Sequence, residues 1–147
     1  MIYLLRHGAA EEGTGDDASR RLSAKGERQA RAAGRALAAL GASIDTCLAS
    51  PKLRAAETAR LACEELAVEP EIDEELRGGP FDSIALAAGR GDGVLLVGHE
   101  PDFSGEVGRL TGANVKLRKG GLAIVDGSTL LALLRPADLA AIAAAAP

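Results

Sequence analysis

Residues 2–8 read Ile-Tyr-Leu-Leu-Arg-His-Gly, four apolar residues that break abruptly into a cation, an imidazole and a glycine. A short apolar run opening almost at the first residue reads as a strand whose carboxyl end delivers Arg6 and His7 into a loop. A second stretch repeats the pattern: residues 94–97, Val-Leu-Leu-Val, follow a glycine-rich turn and run into Gly98-His99-Glu100-Pro101. A continuous apolar run is what a strand covered on both faces requires. Between them, residues 46–49 form a third short strand that leads into Ser50-Pro51 and sets Arg54 in the first turn of the following helix. Ligands of open α/β sheets bind outside the carboxyl ends of the strands. Three such ends therefore direct Arg6, His7, Arg54 and His99 toward one cleft.

Helical patterns fill the intervals. Ser23 is positioned as an N-cap, after which Ala30, Ala33, Leu37 and Leu40 recur at helical spacing until Gly41 stops the pattern. Ser50 as cap and Pro51 as first helical residue start a second helix that runs to about residue 66. Residues 69–93 carry a weaker signal: a short extended piece, a Gly-Gly-Pro loop at 78–80 and a helix through about 88. A helix follows over 102–110, then a hairpin in which 122–125 and 129–133 flank Asp126-Gly127-Ser128, then an Ala-rich helix from Pro136. No repeat or linker interrupts the chain. Residues 1–147 are expected to form a single α/β domain, a three-layer α/β/α sandwich on a mostly parallel central sheet, closed by a C-terminal antiparallel hairpin.

Composition narrows the function classes. The chain is 47% hydrophobic and 26% charged with a net charge of −4, ordinary for a globular domain and wrong for a sequence-independent nucleic-acid binder. No apolar run approaches the length of a membrane span, and the first residues lack the basic and apolar regions of a secretory signal, so no membrane association and a cytoplasmic location are expected. Cys47 and Cys63 are too few for a disulfide framework and sit in apolar stretches, which predicts burial. They do not make a cysteine phosphatase either: six residues separate Cys47 from Arg54 where that chemistry needs five. Gly89-Arg90-Gly91-Asp92-Gly93 precedes a strand where a dinucleotide loop must follow one, so no cofactor is implied. Asp16 and Asp17 read as loop and capping residues rather than metal ligands, and no metal is expected.

Two arginines and two histidines at one cleft suggest an anion, and phosphate suits them best. A guanidinium matches phosphate oxygens with paired hydrogen bonds. A neutral imidazole can attack phosphorus in line, while a second, protonated histidine can donate to an equatorial oxygen. The start of the helix near Pro51 adds a partial positive charge. Because the arginines already neutralise the transferring group, a metal is not required.

The ordered motifs Arg6-His7-Gly8, Leu22-Ser23-x-x-Gly26-x-x-Gln29-Ala30, Ser50-Pro51-x-x-Arg54-Ala55-x-Glu57-Thr58 and Gly98-His99-x-Pro101 resemble the histidine phosphatase superfamily, in particular the short SixA-type phosphohistidine phosphatases. The resemblance covers nearly the whole chain. It implies that His7 is the residue phosphorylated, that Arg6 and Arg54 clamp the phosphate and that His99 supports the transition state. Gly8, Ser50 and Arg20, the last within Asp17-x-x-Arg20, are then candidate substrate contacts, and Glu57 and Thr58 could orient Arg54. Larger family members carry a glutamate acid after a Leu-Arg pair, whereas here Leu76-Arg77 is followed by Gly78. Glu74, Glu75 or Asp82 could substitute. A missing acid harms ester hydrolysis more than phosphohistidine hydrolysis, because an imidazole protonated on its other nitrogen leaves neutral. The expected substrate is a partner protein carrying phosphohistidine, with a small phosphate ester as the alternative and a non-catalytic phosphate sensor as the rival. A monomer is expected rather than an obligate oligomer.

Overall fold

The computed structural model describes residues 1–13 and 15–147. Six strands form one sheet: β1 (Ile2–Arg6), β2 (Thr46–Ala49), β3 (Pro70–Ile72), β4 (Val94–Gly98), β5 (Leu122–Asp126) and β6 (Thr129–Leu134). Their spatial order is β3-β2-β4-β1-β5-β6. β3, β2, β4 and β1 run parallel, while β5 joins β1 antiparallel and β6 closes the hairpin. The helices are α1 (Ala24–Ala39), α2 (Leu53–Leu66), α3 (Ser83–Ala87), α4 (Asp102–Thr111) and α5 (Pro136–Ala145). No helix among the described residues is long and apolar enough to cross a membrane.

Strand alternation sorts the core into two halves. Tyr3, Leu5, Cys47, Ala49, Leu95 and Val97 point to one face, where they pack with Ala33, Leu37, Ala59 and Leu139 of α1, α2 and α5. Ile2, Leu4, Leu48, Val94 and Leu96 point to the other, against Leu76, Phe103 and Val107. This is the three-layer arrangement expected from the sequence. With few aromatics to fill space, α1 and α2 approach closely through alanines. At Gly34 an added Cβ would stand 2.4 Å from the Ala62 carbonyl oxygen. Both cysteines are buried and free.

Two local expectations need correction. The second helix starts at Leu53, with Lys52 rather than Ser50 at its cap position. The Ser50 hydroxyl accepts from the Lys52 N–H at 3.1 Å, turning Ser50-Pro51-Lys52 into a bend ahead of the helix. Arg54 remains in the first turn. Leu40, counted in the apolar stripe of α1, follows the helix end and is 51% exposed, since Gly41 takes a left-handed φ of 72° one residue later. Ser23 caps α1 as expected, accepting from the Gly26 N–H at 3.1 Å.

Candidate active site

The chain crosses from β1 to β2 on the far side of β4, so the carboxyl ends of all three strands adjoin. The His7 N–H donates to the Gly98 carbonyl at 3.0 Å, and the Ser50 N–H to the Val97 carbonyl at 3.0 Å. These bonds carry the ladder past the last strand residues and fix the two histidines side by side, ring centroids 5.2 Å apart. Arg6 follows Leu4 onto the α4 face and His7 follows Leu5 onto the α1–α2 face.

The loop after His7 is held from both sides. Its Gly8 N–H donates to Thr58 Oγ1 at 3.0 Å, and that hydroxyl donates to the Arg54 carbonyl at 2.7 Å. One residue on, the Ala9 N–H donates to Gln29 Oε1 at 2.9 Å, and Ser23 Oγ donates to the Ala9 carbonyl at 3.1 Å. Gly26 lets the first turn of α1 touch this loop, since a Cβ there would stand 1.9 Å from the Ala9 oxygen. Gly8 itself is needed for the same close approach, its Cβ position being 2.6 Å from the Gly26 oxygen.

His7 Nδ1 lies 2.7 Å from the Gly8 carbonyl oxygen. A carbonyl can only accept, so Nδ1 carries the hydrogen and Nε2 bears the free lone pair. Burial, deepened by Arg54, Arg6 and Lys119 and partly offset by the Gly8 bond, lowers the His7 pKa to about 4. Burial and then the charges of His7, Arg54 and Lys52 lower that of His99 to about 3. Both imidazoles are therefore held toward the neutral form at pH 7 by their surroundings. An arriving dianion works in the opposite direction and favours the imidazolium.

His99 Nε2 is 2.7 Å from the buried Ser50 hydroxyl. Arg6 donates from a terminal nitrogen to the Leu117 carbonyl at 2.9 Å, and Arg54 donates to the Asp17 carbonyl at 2.9 Å and its carboxylate at 3.1 Å. Yet Nε of both arginines is buried without a hydrogen-bond partner.

The cleft has a volume of about 350 Å³. Arg6, His7, Arg54, His99 and Arg20 all line it, together with Lys52, Arg77, Gly78, Glu100, Asp102 and Lys119. Gly8 and Ser50 do not: Gly8 orients His7 and Ser50 holds His99, each from behind. A larger hollow of about 690 Å³ beside Arg60 and Cys63 gathers no such groups, so chemistry rather than size selects the cleft. Asp17, read as a capping residue, instead pairs with Arg54, with Arg20 Nε at 3.3 Å and with Lys52 at 4.0 Å. Arg54 in particular holds its carboxyl below the usual range. Thr58 ties Gly8 to the Arg54 backbone and leaves the guanidinium to Asp17.

The acids suggested as substitutes for the missing glutamate lie elsewhere. Glu74 pairs with Arg77 at 3.0 Å, Asp82 caps α3 and pairs with Arg109, and neither they nor Glu75 line the cleft. The carboxylates that do are Glu100 and Asp102. Glu100 is spent on the Ser104 N–H at 2.8 Å, the Ser104 hydroxyl and the Leu117 N–H at 3.2 Å. Asp102 accepts from the Gly79 N–H at 3.0 Å, fixing the 78–79 loop at the rim. Both carboxylates are thus engaged by donors of the protein itself.

Comparison with known proteins gives the same picture. A protein of Picosynechococcus sp. described as uncharacterised is 32% identical over 134 residues, 82% of this chain and 81% of that one. The structure of the protein histidine phosphatase SixA complexed with tungstate superposes with a TM-score of 0.82 at 24% identity, covering 94% of this chain and 98% of that one. A protein of Nakamurella multipartitia described as a candidate phosphohistidine phosphatase SixA gives 0.75 at 27% identity, over 95% and 88% of the two chains. The sequence model of the histidine phosphatase superfamily (branch 1) matches residues 2–84, the span that holds His7, Arg20 and Arg54 in the geometry above, and the chain belongs to that superfamily.

Proposed function

We propose that the protein is a metal-independent phosphatase that passes a phosphoryl group from phosphohistidine on a partner protein to His7 and then to water. The observation that carries this reading is the His7 tautomer: Nδ1–H is committed to the Gly8 carbonyl, and Nε2 is left as an unprotonated nucleophile in a cleft that Arg6 and Arg54 also line. Nε2 attacks phosphorus as the P–N bond to the substrate imidazole breaks. That imidazole keeps the proton on its other nitrogen and departs neutral. Water then attacks phospho-His7, the P–N bond to Nε2 breaks, and the proton lost by water is carried off with phosphate or to solvent. Arg6 and Arg54 hold the equatorial oxygens throughout, as transfer through a loose transition state requires. His99, fixed by Ser50, is placed to hydrogen-bond the same group and gains a proton more readily once the dianion is bound.

The substrate assignment rests on the leaving group. An alkoxide benefits from a positioned acid, on the order of 10²–10⁴-fold, and both cleft carboxylates are already engaged by backbone N–H groups of the protein. A neutral imidazole needs no such acid. The test is the ratio of kcat/KM for free phosphohistidine to that for phosphoserine and p-nitrophenyl phosphate. Preference for phosphohistidine by two orders of magnitude is expected, and equal or better turnover of the esters would move the assignment to a small-molecule phosphomonoesterase.

A further inference from the structure

Beside the cleft lies a groove of about 560 Å³ that shares Arg6 with it and is otherwise lined by Lys116, Leu117, Arg118, Leu133, Leu134 and Arg135. Two properties mark this groove. The first is unanswered positive charge. Among the described residues no carboxylate lies within ion-pairing distance of Lys116, Arg118 or the neighbouring Lys119, whereas Arg20, Lys52, Arg54 and Arg135 each have an acidic partner. The second is exposed apolar surface on the sheet's edge strand. Leu133, which lines the groove, is 42% exposed, and Leu131 on the same face of β6 just beyond it is 52% exposed. Lys119 lines the cleft and Arg6 lines both cleft and groove, so cationic side chains connect the two.

A phosphoryl dianion is already met by Arg6 and Arg54 at the floor of the cleft. The further cations call for negative charge on the substrate beyond the phosphate, and the leucines call for apolar groups beside it. An inorganic oligophosphate or a nucleotide would answer the charges and leave the leucines bare. A polypeptide answers both. We propose that this groove docks the segment flanking the phosphorylated histidine of the partner protein, a segment bearing acidic residues with an apolar side chain among them. The proposal rests on the phosphohistidine reading of the cleft. Long-range attraction of this kind acts mainly on the encounter rate and is suppressed by salt.

The test uses free phosphohistidine and three synthetic peptides with a central histidine phosphorylated by phosphoramidate. Glu-Leu-Glu, Gly-Ser-Gly or Lys-Leu-Lys flanks that histidine on each side, and phosphate release is followed for each. The kcat/KM is expected to fall roughly tenfold from the acidic to the neutral peptide and again to the basic one, with the differences collapsing at high salt. The double variant Lys116→Glu, Arg118→Glu, at two exposed positions outside the cleft, should reverse the order and leave free phosphohistidine turnover unchanged. Equal rates on all three peptides, or an order that the double variant does not alter, would refute the groove while free phosphohistidine turnover keeps the cleft reading intact. Failure to hydrolyse phosphohistidine in any form would overturn both.

Discussion

Lowering the pH should unfold this protein partly through His7, and by an amount its surroundings set. In the unfolded chain the imidazole titrates near its ordinary value of 6.5, and in the fold its pKa is about 4. The unfolded chain therefore takes up the proton first. The stability due to this difference is fully present above pH 6.5 and drains away as the pH falls toward 4. At about 1.4 kcal/mol per tenfold change in proton affinity, about 2.5 kcal/mol should be lost by pH 4.5 through this residue alone. His7→Asn keeps a side-chain N–H for the Gly8 carbonyl and cannot titrate. With no tryptophan and one tyrosine in the chain, urea unfolding is best followed by far-UV circular dichroism. Between pH 7 and pH 4.5 the wild type should lose about 2.5 kcal/mol more than the variant, a large part of a typical domain's stability. The excess grows somewhat if His99, relieved of its charged neighbour, also titrates higher in the variant. Equal losses in the two proteins would refute the buried, cation-crowded His7 on which the neutral nucleophile depends.

Thr58→Val keeps the shape of a fully buried side chain and removes the hydroxyl that the Gly8 N–H donates to, which should cost about 1–3 kcal/mol for the orphaned donor. Thermal melting should show a drop of several degrees together with a fall in kcat; full activity at an unchanged melting temperature would mean that this bond does not position the loop. Gly26→Ala sets a helix-favouring residue against a methyl group 1.9 Å from the Ala9 oxygen. Displacement of the loop should win, with a loss of about 1–3 kcal/mol by denaturant unfolding, whereas a more stable protein would show that α1 moves aside freely.

The parts of the molecule that local rules govern were legible in the sequence. Apolar runs of strand length mark β1, β2 and β4, and the order of their polar ends places Arg6, His7, Arg54 and His99 at one sheet edge. Ser23 capped α1 as its position demanded. What escaped notice depends on contacts between distant segments. Ser50 looked like a helix cap, but His99 comes within 2.7 Å of its hydroxyl, 49 residues away in the chain, and the helix begins after a bend. Asp17 looked like a loop residue because its partner Arg54 is 37 residues distant. Lys119 gave no signal at all. It reaches the cleft because Gly120 donates to the His7 carbonyl at 2.9 Å as the chain enters β5, a pairing that nothing local encodes. Gly8 and Ser50, expected as substrate contacts, do not line the cleft in the fold: the Gly8 carbonyl lies 2.7 Å from His7 Nδ1 and the Ser50 hydroxyl 2.7 Å from His99 Nε2, so each positions a histidine.

The central claim, that His7 carries the phosphoryl group, is tested most directly by intact-mass analysis. Wild type and His7→Asn are mixed with a phosphohistidine donor, quenched without acid to preserve the P–N bond, and followed in parallel for phosphate release. A transient single-phosphate adduct with concurrent release in wild type, both absent from the variant, is the predicted result. Phosphate release that persists in His7→Asn would contradict the account.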